Sequence, residues 1–368
     1  MSDLSISLEA LERSRSQLPV TTYFEDAVAA EEQARLFARG PRYVGHGLWV
    51  PEAGNFHTLP QEGDGRALLR DADGVRLISN VCRHRQALML RGRGSTNRHV
   101  VCPIHRWTYD LRGQLVGAPH FQVDPCLNLR QYPLHDWRGL LFEQPGLDVA
   151  AELAAVSDPM AASEALVLDK VVMHECDYNW KTFIEVYLED YHVGPFHPGL
   201  GGFVSCDDLR WQFGGHHSVQ TVGVQHGLQR PGSAVYRAWH DALLAYRGGK
   251  PPAFGAVWLT LYPNVMVEWY PHVMVVSTLH PRGPGKTLNM VEFYYPEEIA
   301  AFEREFVEAH QAAYMETCAE DDEIALRMDA GRRALMMRGD DEYGPYQSPM
   351  EDGMQHFHEW LRRGMEAR

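Results

Sequence analysis

The sequence predicts an α+β fold, with a small antiparallel β domain followed by a larger domain in which an antiparallel sheet is flanked by helices. The first observation is a series of short strand-like segments between residues 40 and 150, with a hairpin-turn signal at Asp73-Gly74. The second is a group of longer apolar strand segments between residues 166 and 295, after which the pattern becomes helical. Strands followed by helices are typical of α+β proteins.

The chain is predicted to form three segments. Residues 1–39 contain a helix that Gly40-Pro41 ends, and we expect this segment to pack on the larger domain. Residues 40–150 form the small β domain, and residues 151–368 form the larger one. The stretch 148–163 is rich in Ala and lacks strand alternation, so it marks the connection between them.

Hydrophobic periodicity gives the elements within these segments. Helices are predicted over 24–38 and 179–192, and a long helix is predicted to start after Pro296. A final helix presents one apolar face, which is formed by Met354, Phe357, Trp360 and Leu361. The predicted strands are 43–50, 66–70, 75–81, 166–173, 209–213, 217–224, 253–262, 265–279 and 288–295.

Composition excludes several classes of function. The formal net charge of −15 over 368 residues disfavours nucleic acid and anionic membranes as partners, and it would attract a basic redox partner. No apolar run reaches the ~18 residues of a membrane span, and the N-terminus lacks the apolar region of a signal peptide. The six cysteines show no pairing rhythm. A reducing cytoplasm is therefore the predicted location.

Two pairs of metal-ligand residues stand seventeen residues apart, Cys82-x-His84 and Cys102-x-x-His105. Each pair offers one thiolate and one imidazole, which is the ligand set of a [2Fe–2S] cluster with two Cys on one iron and two His on the other. A structural zinc site uses the same residue types. Its usual spacing pairs Cys with Cys and His with His, however, and therefore fits this segment poorly.

A second group of metal-ligand residues lies around His192. If the predicted helix 179–192 forms, Glu185 and Glu189 share a stripe with His192, and Gly194-Pro195 then lets the chain turn His197 back towards it. Two imidazoles and one carboxylate form the facial triad of non-haem Fe(II) oxygenases. Without a cluster in the same chain, two histidines without metal would be the preferred interpretation. A one-electron donor in the same chain requires an acceptor, so a metal site at these two histidines becomes the preferred interpretation.

Through these two motifs the chain resembles the α subunit of the Rieske non-haem iron oxygenases, also called aromatic ring-hydroxylating oxygenases, over nearly its full length. The Rieske domain precedes the catalytic domain, as it does in this family. The family's second motif is matched at Asn179-Trp180-Lys181, Glu185, Glu189-Asp190-Tyr191-His192 and His197. The resemblance implies a helix-grip, START-like catalytic domain, a Rieske [2Fe–2S] cluster on Cys82, His84, Cys102 and His105, and a mononuclear Fe(II).

The resemblance also assigns the residues of the iron site. It makes His192 and His197 iron ligands and Glu189 the carboxylate that passes electrons to the iron. The family commonly has Asp at the position of Glu189, and Glu is a feature of the subgroup with choline and carnitine monooxygenases. At position 186 this chain has Val, where the family frequently has Asn.

The third iron ligand is expected in the acidic run that starts at Glu320. The family pattern favours Asp321, with Asp322 as the alternative. Without the resemblance, a solvated helix start is the preferred interpretation of such a run.

The implied enzyme is a terminal oxygenase that uses O2 and electrons from NAD(P)H, delivered by a separate flavin and iron–sulfur reductase or by a ferredoxin. The implied electron route runs from the cluster through His84 or His105 to Glu189 and His192 of a neighbouring subunit in a homotrimer. Two other classes stay open: a Rieske electron carrier without oxygenase activity, and a noncatalytic binding protein on the same scaffold.

The sequence leaves two classes of substrate open. The family favours hydroxylation of an aromatic compound, whereas Glu189 favours the alternative, monooxygenation or demethylation of a quaternary ammonium or another small non-aromatic substrate. Aromatic side chains suit both, by stacking or by cation–π contact. The candidate pocket residues are Trp258, Tyr262, Met266, Trp269, Tyr270, His272 and Met274.

Overall fold

The structure, a computed structural model, describes residues 17–143, 146–160, 165–340 and 342–366. The chain divides into two compact units. The β unit comprises residues 38–151, and the helix–sheet unit combines the segment that ends at Phe37 with the residues from Glu152 onward. Both units agree with the predicted α+β class, which is confirmed. No helix within the described ranges combines the length and apolar character that crossing a bilayer requires.

The β unit consists of short antiparallel strands in three sheets, ordered β1-β11-β10, β5-β2-β3-β4-β9 and β6-β7-β8. The predicted hairpin joins β3 and β4, and the Asp71 side chain accepts hydrogen bonds from the backbone N–H groups of Asp73 and Gly74 in its turn. The strands are β1 (Arg42–His46), β2 (Asn55–Thr58), β3 (Arg66–Asp71), β4 (Gly74–Ser79), β5 (Arg93–Ser95), β6 (His99–Val101), β7 (Thr108–Asp110), β8 (Leu115–Gly117), β9 (Gln131–Tyr132), β10 (His135–Trp137) and β11 (Leu140–Glu143).

The helix–sheet unit is built on one antiparallel sheet of seven strands, ordered β12-β18-β17-β16-β15-β14-β13. Its strands are β12 (Leu166–Cys176), β13 (Val204–Phe213), β14 (His217–Val224), β15 (Ala256–Leu261), β16 (Val265–Tyr270), β17 (Val273–Gly283) and β18 (Lys286–Pro296). The helices of the chain are α1 (Asp26–Glu32), α2 (Val149–Glu152), α3 (Trp180–Tyr187), α4 (Val193–Phe196), α5 (Pro198–Phe203), α6 (Ala234–Tyr246), α7 (Glu297–Phe302), α8 (Arg304–Arg338) and α9 (Asp352–Glu366).

Two apolar cores hold helices to this unit. One joins strand residues such as Val275 and Phe293 to Trp239 of α6 and Phe306 of α8. The other contains the predicted apolar face of α9 and includes Tyr23 and Phe37 of the N-terminal segment. Burial of such side chains contributes roughly 1.5–3 kcal/mol each. The long helix α8 is therefore fixed over the sheet, and its middle turns carry the acidic run that starts at Glu320.

Several predicted elements are wrong in their extent. The strand predicted over 43–50 ends at His46, where a short 3-10 helix follows. The helix predicted over 179–192 ends at Tyr187, since the Glu189 carboxylate turns back to the backbone N–H of His192 and replaces a helical arrangement there. The strand predicted over 265–279 is a hairpin of β16 and β17, with His272 in its turn at a φ of 64°. Helix α6 was not predicted.

The stripe that sequence periodicity assigned to Glu185, Glu189 and His192 is therefore also wrong. Glu185 is fully buried, where it accepts hydrogen bonds from Arg332, Tyr23 and His358. Burial by itself would raise the pKa of Glu185, but Arg332 and the hydrogen bond from His358 hold that pKa at about 2. Glu185 thus links α3 to α8, to α9 and to the N-terminal segment, and it does not face the metal site.

Replacing Glu185 with Gln should destabilise the helix–sheet unit, because the largely buried Arg332 guanidinium would lose the nearer of its two carboxylate partners and keep only Asp329, at 3.7 Å. Loss of a hydrogen bond between charged groups costs about 2–3 kcal/mol, which corresponds to a fall in melting temperature of roughly 5–10 °C. Scanning calorimetry measures the melting temperature. Glu323→Gln is the control, since Glu323 forms an exposed ion pair with Arg327 on α8, the helix that carries Arg332. Equal melting temperatures for the two variants would contradict this role of Glu185.

Candidate active site

The four residues predicted to hold a cluster come together at two loops of the β unit with the same backbone pattern. The N–H of Cys82 bonds the carbonyl of Ala87, and the N–H of Cys102 bonds the carbonyl of Trp107, each five residues further along. The fourth residue after each cysteine, Gln86 or Arg106, has a φ near 60°. Each loop thereby folds back over its cysteine and presents the histidine that follows.

The side chains at these loops fit an iron–sulfur cluster. The rings of His84 and His105 lie 4.7 Å apart between centroids, and both cysteines are buried free thiols. Trp107 stacks on His84, whose Nδ1 is buried without a hydrogen-bond partner among the described residues. A buried ring nitrogen without a partner is costly, and coordination to iron would satisfy it. The donor set is the one a Rieske cluster requires.

The surface around these loops is basic, although the whole chain is acidic. No Asp or Glu occurs between Gly74 and Tyr109, whereas seven arginines do. Arg83, Arg85 and Arg106, next to the histidines in sequence, are exposed and form no ion pair with a described carboxylate. The net charge therefore does not describe the surface that an electron donor meets, and the expected basic redox partner has no support from this local surface.

The second predicted site lies in the helix–sheet unit, where a turn, a short helix and α8 meet. His192 precedes α4, His197 separates α4 from α5, and Asp321 lies on α8. His192 Nε2 and His197 Nε2 are 2.9 Å apart, and Asp321 Oδ1 lies 2.9 Å from His197 Nε2 and 3.5 Å from His192 Nε2. Adjacent ligand atoms of an octahedral ion lie ~3 Å apart when each bond is ~2.1 Å. The three donor atoms therefore fit one face of such an ion.

Two carboxylates fix the orientation of the imidazoles. Glu189 is bonded to His192 Nδ1, and Glu320 Oε2 lies 2.7 Å from His197 Nδ1. With a carboxylate at each Nδ1, that nitrogen carries the proton, and both Nε2 lone pairs are directed at the same point. The sequence had singled out Glu189, but it gave no role to Glu320.

The electrostatics of the triad formed by His192, His197 and Asp321 favour a bound cation. Burial alone would lower the pKa of His192, but Asp321 and Glu189 raise it to about 10. Burial would raise the pKa of Asp321, whereas the two histidines hold it below its usual range. The group therefore stabilises positive charge at the point where its donors converge, and a divalent metal supplies that charge.

Asp322, the alternative third ligand, lies in a different group. Its Oδ2 lies 2.8 Å from His174 Nε2, and its Oδ1 accepts a hydrogen bond of 2.7 Å from the Tyr178 hydroxyl. Neighbouring positions on a helix point about 100° apart, which separates Asp321 from Asp322. The geometry thus brings Asp321 and not Asp322 to His192 and His197.

A cavity of about 740 Å³, counted with its mouth, opens beside the triad. Trp258 and Tyr270 line it, as the sequence suggested, whereas Tyr262, Met266, Trp269, His272 and Met274 do not. Nine of its described lining residues outside the triad are aromatic: Phe183, Tyr187, Phe203, Tyr236, Trp239, Trp258, Tyr270, His310 and Tyr314. Four carboxylic residues complete its polar part: Glu189, Asp190, Glu268 and Asp321.

Comparison with known proteins identifies the family. A model of the Rieske [2Fe-2S] domain matches residues 44–133, and a model of the ring hydroxylating alpha subunit, catalytic domain, matches residues 163–367. The chain belongs to the Rieske ring-hydroxylating oxygenases. The resemblance inferred from its motifs is confirmed. A chain with both domains is an oxygenase, so the electron-carrier and noncatalytic alternatives are wrong.

Relatives and solved structures span the whole length of this oxygenase. The putrescine 2-hydroxylase of Ralstonia nicotianae is 64% identical over 100% of both chains, and that of Bordetella bronchiseptica is 60% identical over 96% of this chain and 85% of its own. The quaternary ammonium Rieske monooxygenase CntA, with an inhibitor bound, superposes with a TM-score of 0.76 at 20% identity and covers 96% of this chain and 97% of its own. At that identity the likeness to CntA shows the fold alone.

Family membership establishes the cofactors. This terminal oxygenase component uses a Rieske [2Fe–2S] cluster and a mononuclear non-haem iron, and a separate reductase supplies its electrons. The donor sets at the two loops and at the triad fit these groups. Several functional side chains had no local signal in the sequence, since Glu320, Glu268 and Trp239 reach the site only through packing of α8, β16 and α6.

Proposed function

We propose that this oxygenase hydroxylates a short aliphatic diamine at a carbon atom, with His192, His197 and Asp321 as the ligands of its iron. The observation that carries the proposal is the charge of the cavity. Four carboxylic residues line it, and the two whose side chains do not bond the metal-site histidines form no ion pair with a described residue. No Lys or Arg is present among the described lining residues. Burial lowers the pKa of His310 to about 3, so this imidazole adds no positive charge. A cationic substrate compensates such a cavity, whereas a neutral aromatic ring does not.

The relatives support the same substrate class. The two putrescine 2-hydroxylases share 64% and 60% of their residues with this chain over most or all of their length. The carnitine monooxygenase oxygenase subunit of Escherichia coli K12, at 25% identity over 94% of this chain, carries the name of a substrate with a quaternary ammonium group. None of these three names indicates an aromatic substrate.

In the proposed reaction, one atom of O2 enters a C–H bond of the diamine, and the other leaves as water with two electrons from the reductase and two protons. Iron held by the triad supplies the activation of O2 that this reaction requires. The residues of the chain hold the substrate beside the triad and exclude water with the aromatic wall. Glu189 and Glu320 keep the two ligand imidazoles in the required tautomer.

Electron delivery to the triad is assigned to Glu189. Its carboxylate joins the Nδ1 of His192, and its side chain is 13% exposed, so one side of it can be reached from outside the unit. We propose that a histidine ligand of the cluster, His84 or His105 of another copy, meets Glu189 in a homotrimer. Asp190, the neighbouring acid, bonds Gln220 instead and is not on this route.

The test is a set of amines incubated with the purified oxygenase, a Rieske-oxygenase reductase and NADH. We expect NADH oxidation and O2 consumption that depend on 1,4-diaminobutane, and a product heavier by one oxygen atom. Naphthalene and a quaternary ammonium compound are the comparison substrates. Turnover of naphthalene without turnover of any amine would overturn the proposal.

A further inference from the structure

The four carboxylic residues of the cavity differ in what they contact. Asp321 faces the two ligand histidines, and Glu189 is bonded to His192. Asp190 accepts from the Gln220 amide beside the metal-binding turn. The fourth carboxylic residue, Glu268, has no such contact with the metal site. It lies on β16, is 1% exposed, and forms no ion pair with a described cationic residue.

Neutral donors hold Glu268 in place. The hydroxyl of Tyr314 donates to its Oε1 and that of Tyr270 donates to its Oε2, both at 2.8 Å. The Tyr270 hydroxyl is itself fixed by a hydrogen bond of 3.1 Å from Trp258 Nε1. These contacts orient the carboxylate, but they leave its negative charge without a counter-ion, which is costly inside a protein.

Sheet register places Glu268 on the cavity wall. Glu268 is paired with Trp258 of β15, and directly opposed residues of antiparallel strands share a face of the sheet. Tyr270, two residues along β16, lies on that face as well. All three residues line the cavity beside the triad.

A second unpaired polar group lines the same cavity. The hydroxyl of Tyr187, at the end of α3, is buried and has no hydrogen-bond partner among the described residues. Glu268 is one of the charges that raise the pKa of Tyr187, after burial, so the two groups are close enough to interact. A buried hydroxyl without a partner indicates that a polar ligand group completes the site.

Resting on the proposed function, we infer that Glu268 binds one ammonium group of the substrate, with Tyr187 as a further hydrogen-bond acceptor and Trp258 as an aromatic wall. A primary ammonium has three N–H donors. It can donate to the free lone pairs of the Glu268 carboxylate and to the Tyr187 hydroxyl, and it replaces the missing counter-charge. A quaternary ammonium cannot donate hydrogen bonds, so this site selects primary amines.

The pH dependence of binding should carry the signature of Glu268. Burial raises its pKa, the hydroxyls of Tyr314 and Tyr270 offset part of that rise, Asp321 adds to it, and the result is about 7. Tyr187, Tyr270, Tyr314, Cys318 and Asp321 are the titratable groups that interact with it electrostatically. The ammonium binds the charged carboxylate, so the affinity for 1,4-diaminobutane should be nearly constant between about pH 8 and pH 9, where an alkyl ammonium with a pKa of ~10.4 is still charged, and fall about tenfold per pH unit below about pH 6.

The decisive experiment compares two ligands of the same length, 1,4-diaminobutane and 1,4-butanediol, because a ligand that keeps one ammonium could still place it at Glu268. Calorimetric Kd values, measured on preparations with equal iron content, give their affinity ratio. We expect the wild-type protein to prefer the diamine at least about 30-fold, and Glu268→Gln to reduce that ratio at least about tenfold. Tyr187→Phe should weaken diamine binding several-fold while keeping most of the preference.

Glu292→Gln is the matched comparison, since it neutralises another buried carboxylate of the same sheet that is not among the described lining residues of the cavity, and it should keep the preference. An unchanged ratio in Glu268→Gln, or an equal loss of the ratio in Glu292→Gln, would overturn the assignment of Glu268 and leave the proposed function standing. If the wild-type protein neither binds nor hydroxylates any diamine, the proposed function itself fails.

Discussion

Replacing Glu189 with Gln is expected to reduce product formation about 100-fold or more, while the cluster and the mononuclear iron stay bound. The carboxylate joins His192 Nδ1 and also accepts from the His192 backbone N–H. An amide keeps the size of the side chain but loses its charge and one of these two acceptors. The iron ligand Nε2 is untouched, so metal content should not change.

The visible spectrum of the cluster gives a direct readout of this effect. Prereduced protein is mixed with O2 and 1,4-diaminobutane, and reoxidation of the cluster is followed over time. The Gln variant should reoxidise slowly, whereas Glu189→Asp, which restores the residue common in the family, should recover part of the rate. Wild-type reoxidation and product formation in Glu189→Gln would exclude Glu189 from the electron path.

Replacing Asp321 with Asn is expected to remove most of the mononuclear iron and to abolish hydroxylation. Asp321 Oδ1 lies 3.5 Å from His192 Nε2 and 2.9 Å from His197 Nε2. Loss of its charge leaves two neutral imidazoles, which bind Fe(II) weakly. His192→Ala should have the same effect, and in both variants the cluster spectrum should persist because its ligands lie in the β unit.

Asp322→Asn is the matched control for Asp321→Asn, one residue further along α8. Asp322 contacts His174 and Tyr178, so its variant should retain the mononuclear iron. Iron and acid-labile sulfide analysis should give about three irons per chain for the control and about two for Asp321→Asn. The reverse pattern would show that Asp322 is the ligand.

The sequence predicted the parts of both metal sites that lie close together along the chain. Cys82 with His84, Cys102 with His105, and His192 with His197 are each two to five residues apart, and so spacing alone reveals them. The carboxylates that complete the iron site come from far along the chain. Glu320 lies 123 residues from His197, and no local pattern indicates that these two residues meet.

Substrate recognition was the least predictable feature, for a related reason. Which strand residues face the cavity depends on register, and the hairpin that divides 265–279 reverses the chain direction in the middle of the candidate segment. The aromatic residues of that segment indicate a pocket in the sequence, whereas Glu268 gives no such signal, because an acid in a strand is usually solvent-exposed. Its burial arises only when β15, β17 and α8 cover it.

The account depends most on the claim that iron at His192, His197 and Asp321 oxygenates a short diamine. The direct measurement is mass spectrometry of the product formed under ¹⁸O2 by the complete system of oxygenase, reductase and NADH with 1,4-diaminobutane. The account predicts a product that contains one ¹⁸O atom, formed in proportion to the O2 consumed. O2 consumption that is unaffected by the diamine, with no labelled product, would contradict it.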